Sequence, residues 1–229
     1  MDLLFDIINI IGTISFAAAG AMVAIDKETD LFGVILLSLT TCFGGGILRD
    51  VMLGQTIGRD MPAFFESLEM EIIVCVCTAL IVFLLALIFK ERYVKEEETV
   101  DKINNVLDAL GLGVFATVGT ASYIEVNAFV AITAGMFSAV GGSMIRDVIL
   151  NTIPRVLRKR VYAVACIIGA GVYYLIAAVI FKNDPDTARI VGAVSCIAVV
   201  FAIRMCATAF RWNIPKAIDF AKIKADGDK

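Results

Sequence analysis

Long apolar runs separated by short polar linkers set the pattern of this chain. Seven such runs, each of about 20 residues, cover 3–25, 31–53, 70–90, 103–124, 127–150, 161–181 and 188–210. Each is long enough to cross a ~30 Å hydrocarbon core as a helix. The linkers carry stop and turn signals: DKETD at 26–30, RDMP at 59–62 and KNDPD at 182–186. The longest polar break, KERYVKEEETVDK at 90–102, mixes charges of both signs and is expected to be a solvated loop. The tail from Trp212 to Lys229 is polar as well. MDLLFDII at the N-terminus carries Asp2 and Asp6 where a signal peptide has basic residues. The first run is therefore expected to be a retained helix, not a cleaved leader. The pattern predicts an all-α membrane protein with seven transmembrane helices.

Two of the runs read almost alike. CFGGGILRDVML at 42–53 and AVGGSMIRDVIL at 139–150 place Gly44, Gly45 and Gly46 over Gly141, Gly142 and Ser143. Arg49 and Asp50 then fall over Arg146 and Asp147. Upstream, IIGTISFAAAGAMVAID resembles ALGLGVFATVGTASYIE and pairs Gly12 with Gly111, Phe16 with Phe115 and Gly20 with Gly119. Spans one to three thus duplicate as spans four to six, and the seventh is extra. The expected divisions are a first repeat at 1–92, a second at 93–182, a seventh helix at 183–211 and a cytoplasmic tail at 212–229. A repeat of three spans restarts on the opposite side of the membrane, so the two copies are inverted. Inverted repeats with glycine-interrupted helices at matching positions point to a transport pathway near the midplane. Helices broken at glycine free backbone groups, which is tolerated only inside protein or beside water. Close helix packing also uses small residues, and Gly12, Gly20, Gly111, Gly113 and Gly119 fit that use.

Composition agrees with membrane residence. The chain is 59% hydrophobic and 19% charged, against about a quarter charged in soluble domains, and its mean hydropathy is +0.87. Histidine is absent, which excludes Ser-His-Asp and Cys-His catalysis and histidine metal sites. The six cysteines all fall in apolar runs without a CxxC pair, so they read as packing residues. With seven spans the termini lie on opposite sides. One side's connections hold Arg59, Lys182 and Arg189, while the other side holds fourteen Lys and Arg residues, from Lys27 through the tail. The positive-inside rule then puts the C-terminus in the cytoplasm and the N-terminus outside the cell membrane.

Arg49 and Asp50 are expected toward the outer face, and Arg146 and Asp147 toward the inner one. A charge in a span costs at least ~2.5 kcal/mol on insertion scales, so each needs a partner or water. Neighbours on a helix diverge by about 100°, which argues against pairing within each Arg-Asp dipeptide. Asp6 or Asn9 is the expected partner of Arg49, and Asp108 that of Arg146. These arginines could equally tie helices together or snorkel, and snorkelling is the expectation for Arg204.

GGGxxRDxxLG in the second span, GGxxRDVxxNxIP in the fifth and the three-three-one plan resemble the bacterial trimeric intracellular cation channels. That family is also catalogued as a glycine transporter family with two copies of one domain. The resemblance covers about residues 3 to 210. It implies a homotrimer in membrane lipid, with a pore in each protomer lined by kinked second and fifth helices, and permeation by K⁺ or Na⁺. Ser143 departs from the third glycine of the first motif and adds a hydroxyl.

The residues independently suit ion conduction, which needs carbonyl and hydroxyl oxygens at several weak sites. Thr40, Thr41, Ser138 and Ser143, with Gly44–Gly46 and Gly141–Gly142, are the expected lining. Arg49, Asp50, Arg146, Asp147 and Asp108 are the expected charged or gating groups. No tightly bound metal, cofactor or nucleic-acid partner is expected. A secondary transporter for a small solute such as glycine would need the same features. No nucleophile–base set or nucleotide loop appears, and GGGILRD lacks the Lys-Ser/Thr of a phosphate loop, so an enzyme is not expected.

Overall fold

The stop signals in the linkers become helix caps. In a computed structural model, which describes residues 2–54, 68–158, 161–210 and 212, Asp30 caps helix α2 (Leu31–Leu53) by accepting from Gly33 N at 2.8 Å. Asn127 caps α6 (Ala128–Ile149) through Val130 N at 2.9 Å. Asp184 caps α9 (Pro185–Ala209) through Thr187 N, with Pro185 in the first turn. A cap of this kind satisfies one of the donors a helix start leaves unpaired. The exposed Asp184 carboxyl is held below the usual carboxylate range, chiefly by its hydrogen bond from Thr187.

The remaining long helices are α1 (Asp2–Asp26), α3 (Leu68–Ile88), α5 (Glu97–Ser122) and α8 (Tyr162–Tyr174). The last continues in π geometry over Leu175–Ile180, where Phe181 N bonds Ile176 O at 2.9 Å. Seven of these segments are long and apolar enough to cross a membrane. The RDMP linker and residues 213–229 lie outside the described residues.

The expected loop at 90–102 is helical instead. Short α4 (Lys90–Lys95) and the first turns of α5 occupy it. Arg92 meets Glu96 at 2.9 Å and Lys102 meets Glu98 at 2.7 Å, both at i,i+4 spacing. Alternating opposite charges four apart support a solvated helix as readily as a loop. A further short helix, α7 (Arg155–Arg158), precedes α8.

α1 and α5 form the centre of the bundle, flanked by α2 and α3 on one side and by α6, α8 and α9 on the other. Small residues bring these two helices together. Gly12 lies against Val114 and Phe115, Gly111 lies against Phe16, and the two phenylalanine rings stack at 5.0 Å. α3 presents Ile73, Ile81, Leu84, Leu87 and Ile88 outward, an apolar face suited to lipid. α2 packs most extensively against α6, and the charged dipeptides lie on those two helices.

Candidate functional site at the α2–α6 crossing

Neither α2 nor α6 is broken at its glycines; both run uninterrupted through the triplets. The missing side chains serve close approach. A Cβ on Gly45 would fall on the carbonyl oxygen of Ser138 in α6, and one on Gly142 would fall on that of Thr41 in α2. A Cβ on Gly44 would lie 3.2 Å from Gly142 Cα, and one on Gly141 would lie 2.9 Å from Gly45 Cα. The carbonyls therefore keep their helical hydrogen bonds, and the two backbones touch. A small-residue crossing achieves this without cost to either helix.

At one end of the crossing, Arg49 Nε donates to Asp50 Oδ1 at 2.6 Å and Nη1 to Ser138 Oγ at 3.2 Å. The Tyr123 hydroxyl donates to the same Asp50 oxygen at 3.1 Å, and the Arg49 guanidinium lies 5.6 Å from the Tyr123 ring centre. Arg49 and Asp50 are both buried. The divergence of neighbouring residues does not prevent this pairing, because arginine's long aliphatic stem reaches around the helix. Asn9 is not the partner of Arg49; its amide donates to Glu71 Oε1 at 2.7 Å, and Asp6 is exposed. Between these groups lies a cavity of about 180 Å³, lined by Thr13, Cys42, Gly46, Arg49, Glu71 and Ser138 among others. Its walls are the N-terminal parts of α1 and α3 and the C-terminal parts of α2 and α5, with Ser138 from α6.

At the other end side chains fill the space. Arg146 Nη2 meets Asp147 Oδ1 at 2.7 Å, and Asp147 Oδ2 accepts from Arg155 N at 2.8 Å. Asp108 does not pair with Arg146. It accepts from the Tyr162 hydroxyl at 2.9 Å and faces Arg204 Nη2 at 3.5 Å. The same Tyr162 hydroxyl is 3.1 Å from Ser143 Oγ, and the Arg204 guanidinium lies 4.6 Å from the Tyr162 ring centre. Arg204 is only 2% exposed and does not snorkel. It continues a stripe of buried residues four apart on α9, Gly192, Cys196 and Val200, which carries it into the bundle. Arg146 is 0% exposed, and its Nη1 finds no partner among the described residues. The equivalent atom of Arg49 has Ser138, whereas Thr41 turns its hydroxyl to Leu37 O at 2.6 Å.

The expected site residues thus divide into three sets. Gly46, Ser138 and Arg49 line the cavity, while Gly44, Gly45, Gly141, Gly142 and Thr41 meet at the crossing. Ser143, Asp108, Arg146 and Asp147 belong to the closed end, and Asp50 backs Arg49. Tyr123, Tyr162, Glu71 and Arg204 join them without having been singled out for it. A tyrosine near the end of an apolar span is a signal for such a role, because a buried phenol needs a hydrogen-bond partner. Among the described residues, no three acidic or cysteine side chains converge as a metal site.

The glycine transporter family model matches residues 6–87 and 105–178. The chain is 33% identical over 210 residues to the UPF0126 inner membrane protein YadS of Escherichia coli K12, covering 90% of this chain and 92% of that one. Its fold matches a solved TRIC cation channel at TM-score 0.75, with 30% identity over 94% of this chain and 98% of the other. It also matches the TRIC trimeric intracellular cation channel orthologue from Rhodobacter sphaeroides at TM-score 0.73, with 28% identity, covering 90% and 98%.

Proposed function

The chain belongs to the glycine transporter family, which includes the prokaryotic TRIC channels, and from that premise we propose that it is a monovalent cation channel. K⁺ and Na⁺ pass along the α2–α6 crossing inside each protomer. They enter through the cavity at Arg49, pass the oxygens of Ser138, Thr41 and Ser143 beside the glycine quartet, and leave past Arg146. In the state described here the far end is shut by Arg146, Asp147, Asp108, Tyr162 and Arg204. The observation that carries this reading is the crossing itself: equivalent glycines touch, equivalent Arg-Asp pairs lie beyond them, and only one end is filled. Hydroxyl-lined weak sites without a dense acidic ring suit a monovalent ion.

The two matched stretches fall on the two proposed repeats, 1–92 and 93–182, which supports their inverted relationship. The solved relatives that are trimeric channels support a homotrimer. The charge bias supports a multi-pass protein of the cell membrane with its C-terminus in the cytoplasm. A second reading, a carrier for a small solute such as glycine, has the family's description in its favour. Planar-bilayer recording decides between them. Discrete picoampere steps exceed any carrier turnover, whereas no steps together with saturable glycine uptake into proteoliposomes makes the protein a carrier.

A further inference from the structure

We infer that Glu71 is the residue that sets cation preference at the entrance, although α3 is not one of the helices assigned to the pathway. The inference rests on the channel reading and goes beyond it. Glu71 lines the cavity, is half-buried, and is held there by the Asn9 amide at 2.7 Å. Arg49 lines the same cavity, but its charge is matched by Asp50 at 2.6 Å. Among the described lining residues the uncompensated charge is therefore the Glu71 carboxylate. A fixed charge inside a low-dielectric cleft focuses its field along the opening and raises the local concentration of counter-ions. Such focusing matters most where the Debye length exceeds the width of the cleft: about 30 Å at 0.01 M salt, against about 3 Å at 1 M. Asn9 is the positioning residue, since its amide fixes one carboxylate oxygen and turns the group toward the cavity.

The arrangement has a direction. The carboxylate lies at the open end of the pathway, so it enriches ions entering from the face that holds the N-terminal ends of α1 and α3. It does little for ions arriving from the other side. Loss of the charge should therefore make the current rectify as well as shrink.

The test uses the full-length wild-type protein and Glu71→Gln, Glu71→Asp and Glu71→Lys variants in planar bilayers at pH 8. In 10 mM KCl, Glu71→Gln should lower current entering from the N-terminal-end face by roughly three- to tenfold, at the low end of electrostatic focusing effects. Current in the opposite direction should fall much less, and at 1 M KCl the two proteins should agree. Glu71→Asp should retain most of the wild-type behaviour, and Glu71→Lys should lower the K⁺ to Cl⁻ permeability ratio further. Equal loss in both directions and at both salt concentrations, or no change in any variant of a conducting wild type, overturns the role of Glu71 and leaves the channel reading standing. Absence of current from the wild type overturns both.

Discussion

Gly45 rests on the carbonyl of Ser138, and Gly142, its counterpart, rests on the carbonyl of Thr41, the counterpart of Ser138. One contact is thus made twice, once from each helix. Alanine at Gly45 or Gly142 places a methyl on a backbone oxygen, which cannot move as the end of a side chain can. Each substitution should destabilise the protein by about 1–3 kcal/mol, the usual cost of overpacking, and leucine should prevent assembly. Gly171→Ala is the control, because its nearest neighbour, Ile132 Cδ1, is 3.9 Å away. There alanine should be neutral or stabilising by up to ~1 kcal/mol. Thermal unfolding in detergent measures all three, and an unaffected Gly45→Ala would refute the contact.

The helices were legible because a span of about 20 apolar residues has one solution in lipid. The glycine triplets also marked the right place, since their repetition pairs equivalent positions whatever they do there. What they do was not legible. Gly45 in a broken helix and Gly45 under a neighbouring carbonyl leave the same letters in the sequence. The arginine partners failed for a different reason. The direction of Cβ excluded Arg49 from Asp50, but the reach of the guanidinium, not the direction of Cβ, decides what it meets. Arg204 was readable in principle from its spacing to Gly192, Cys196 and Val200, but its proximity to the end of the span suggested snorkelling.

Arg204 and Asp108 are 3% and 0% exposed at the side chain, so neither tolerates the loss of the other. Arg204→Met should destabilise the protein by about 3–5 kcal/mol, because it strands a buried carboxylate. Adding Asp108→Asn should recover most of that loss, since the remaining amide still accepts from Tyr162. A double-mutant cycle on thermal stability gives the coupling. A single-mutant cost below about 1 kcal/mol, the range of an exposed pair, would mean that the pair does not bind α9 to α5.

Orientation follows from the charge bias and is tested by accessibility. Among the native cysteines Cys77 is exposed, so the measurement needs a background with all six replaced. In right-side-out vesicles, a cysteine at Glu97 should react with an impermeant maleimide only after the membrane is opened. One at Asp184 should react at once. The reverse pattern would turn the protein over and move the Glu71 entrance to the cytoplasmic side.

The filled end of the crossing should behave as the gate. Tyr162 bridges three helices there: its hydroxyl lies 2.9 Å from Asp108 on α5 and 3.1 Å from Ser143 on α6, while its ring on α8 lies under Arg204 of α9. Opening that end for an ion requires α6 to part from this hydroxyl. Tyr162→Phe keeps the ring and its contact with Arg204 and removes only the bridge. A hydrogen bond to a charged acceptor contributes about 1.5–3 kcal/mol, and 1.4 kcal/mol is a factor of ten in an equilibrium. A mostly closed wild type should therefore open about tenfold more often once the hydroxyl is gone, with unchanged current per opening. Tyr123→Phe is the matched comparison. It removes a hydroxyl bonded to Asp50 at 3.1 Å, at the end where the cavity is already open, and should leave opening frequency unchanged. If both substitutions alter opening alike, or neither does, the Arg146 end is not where this protein closes.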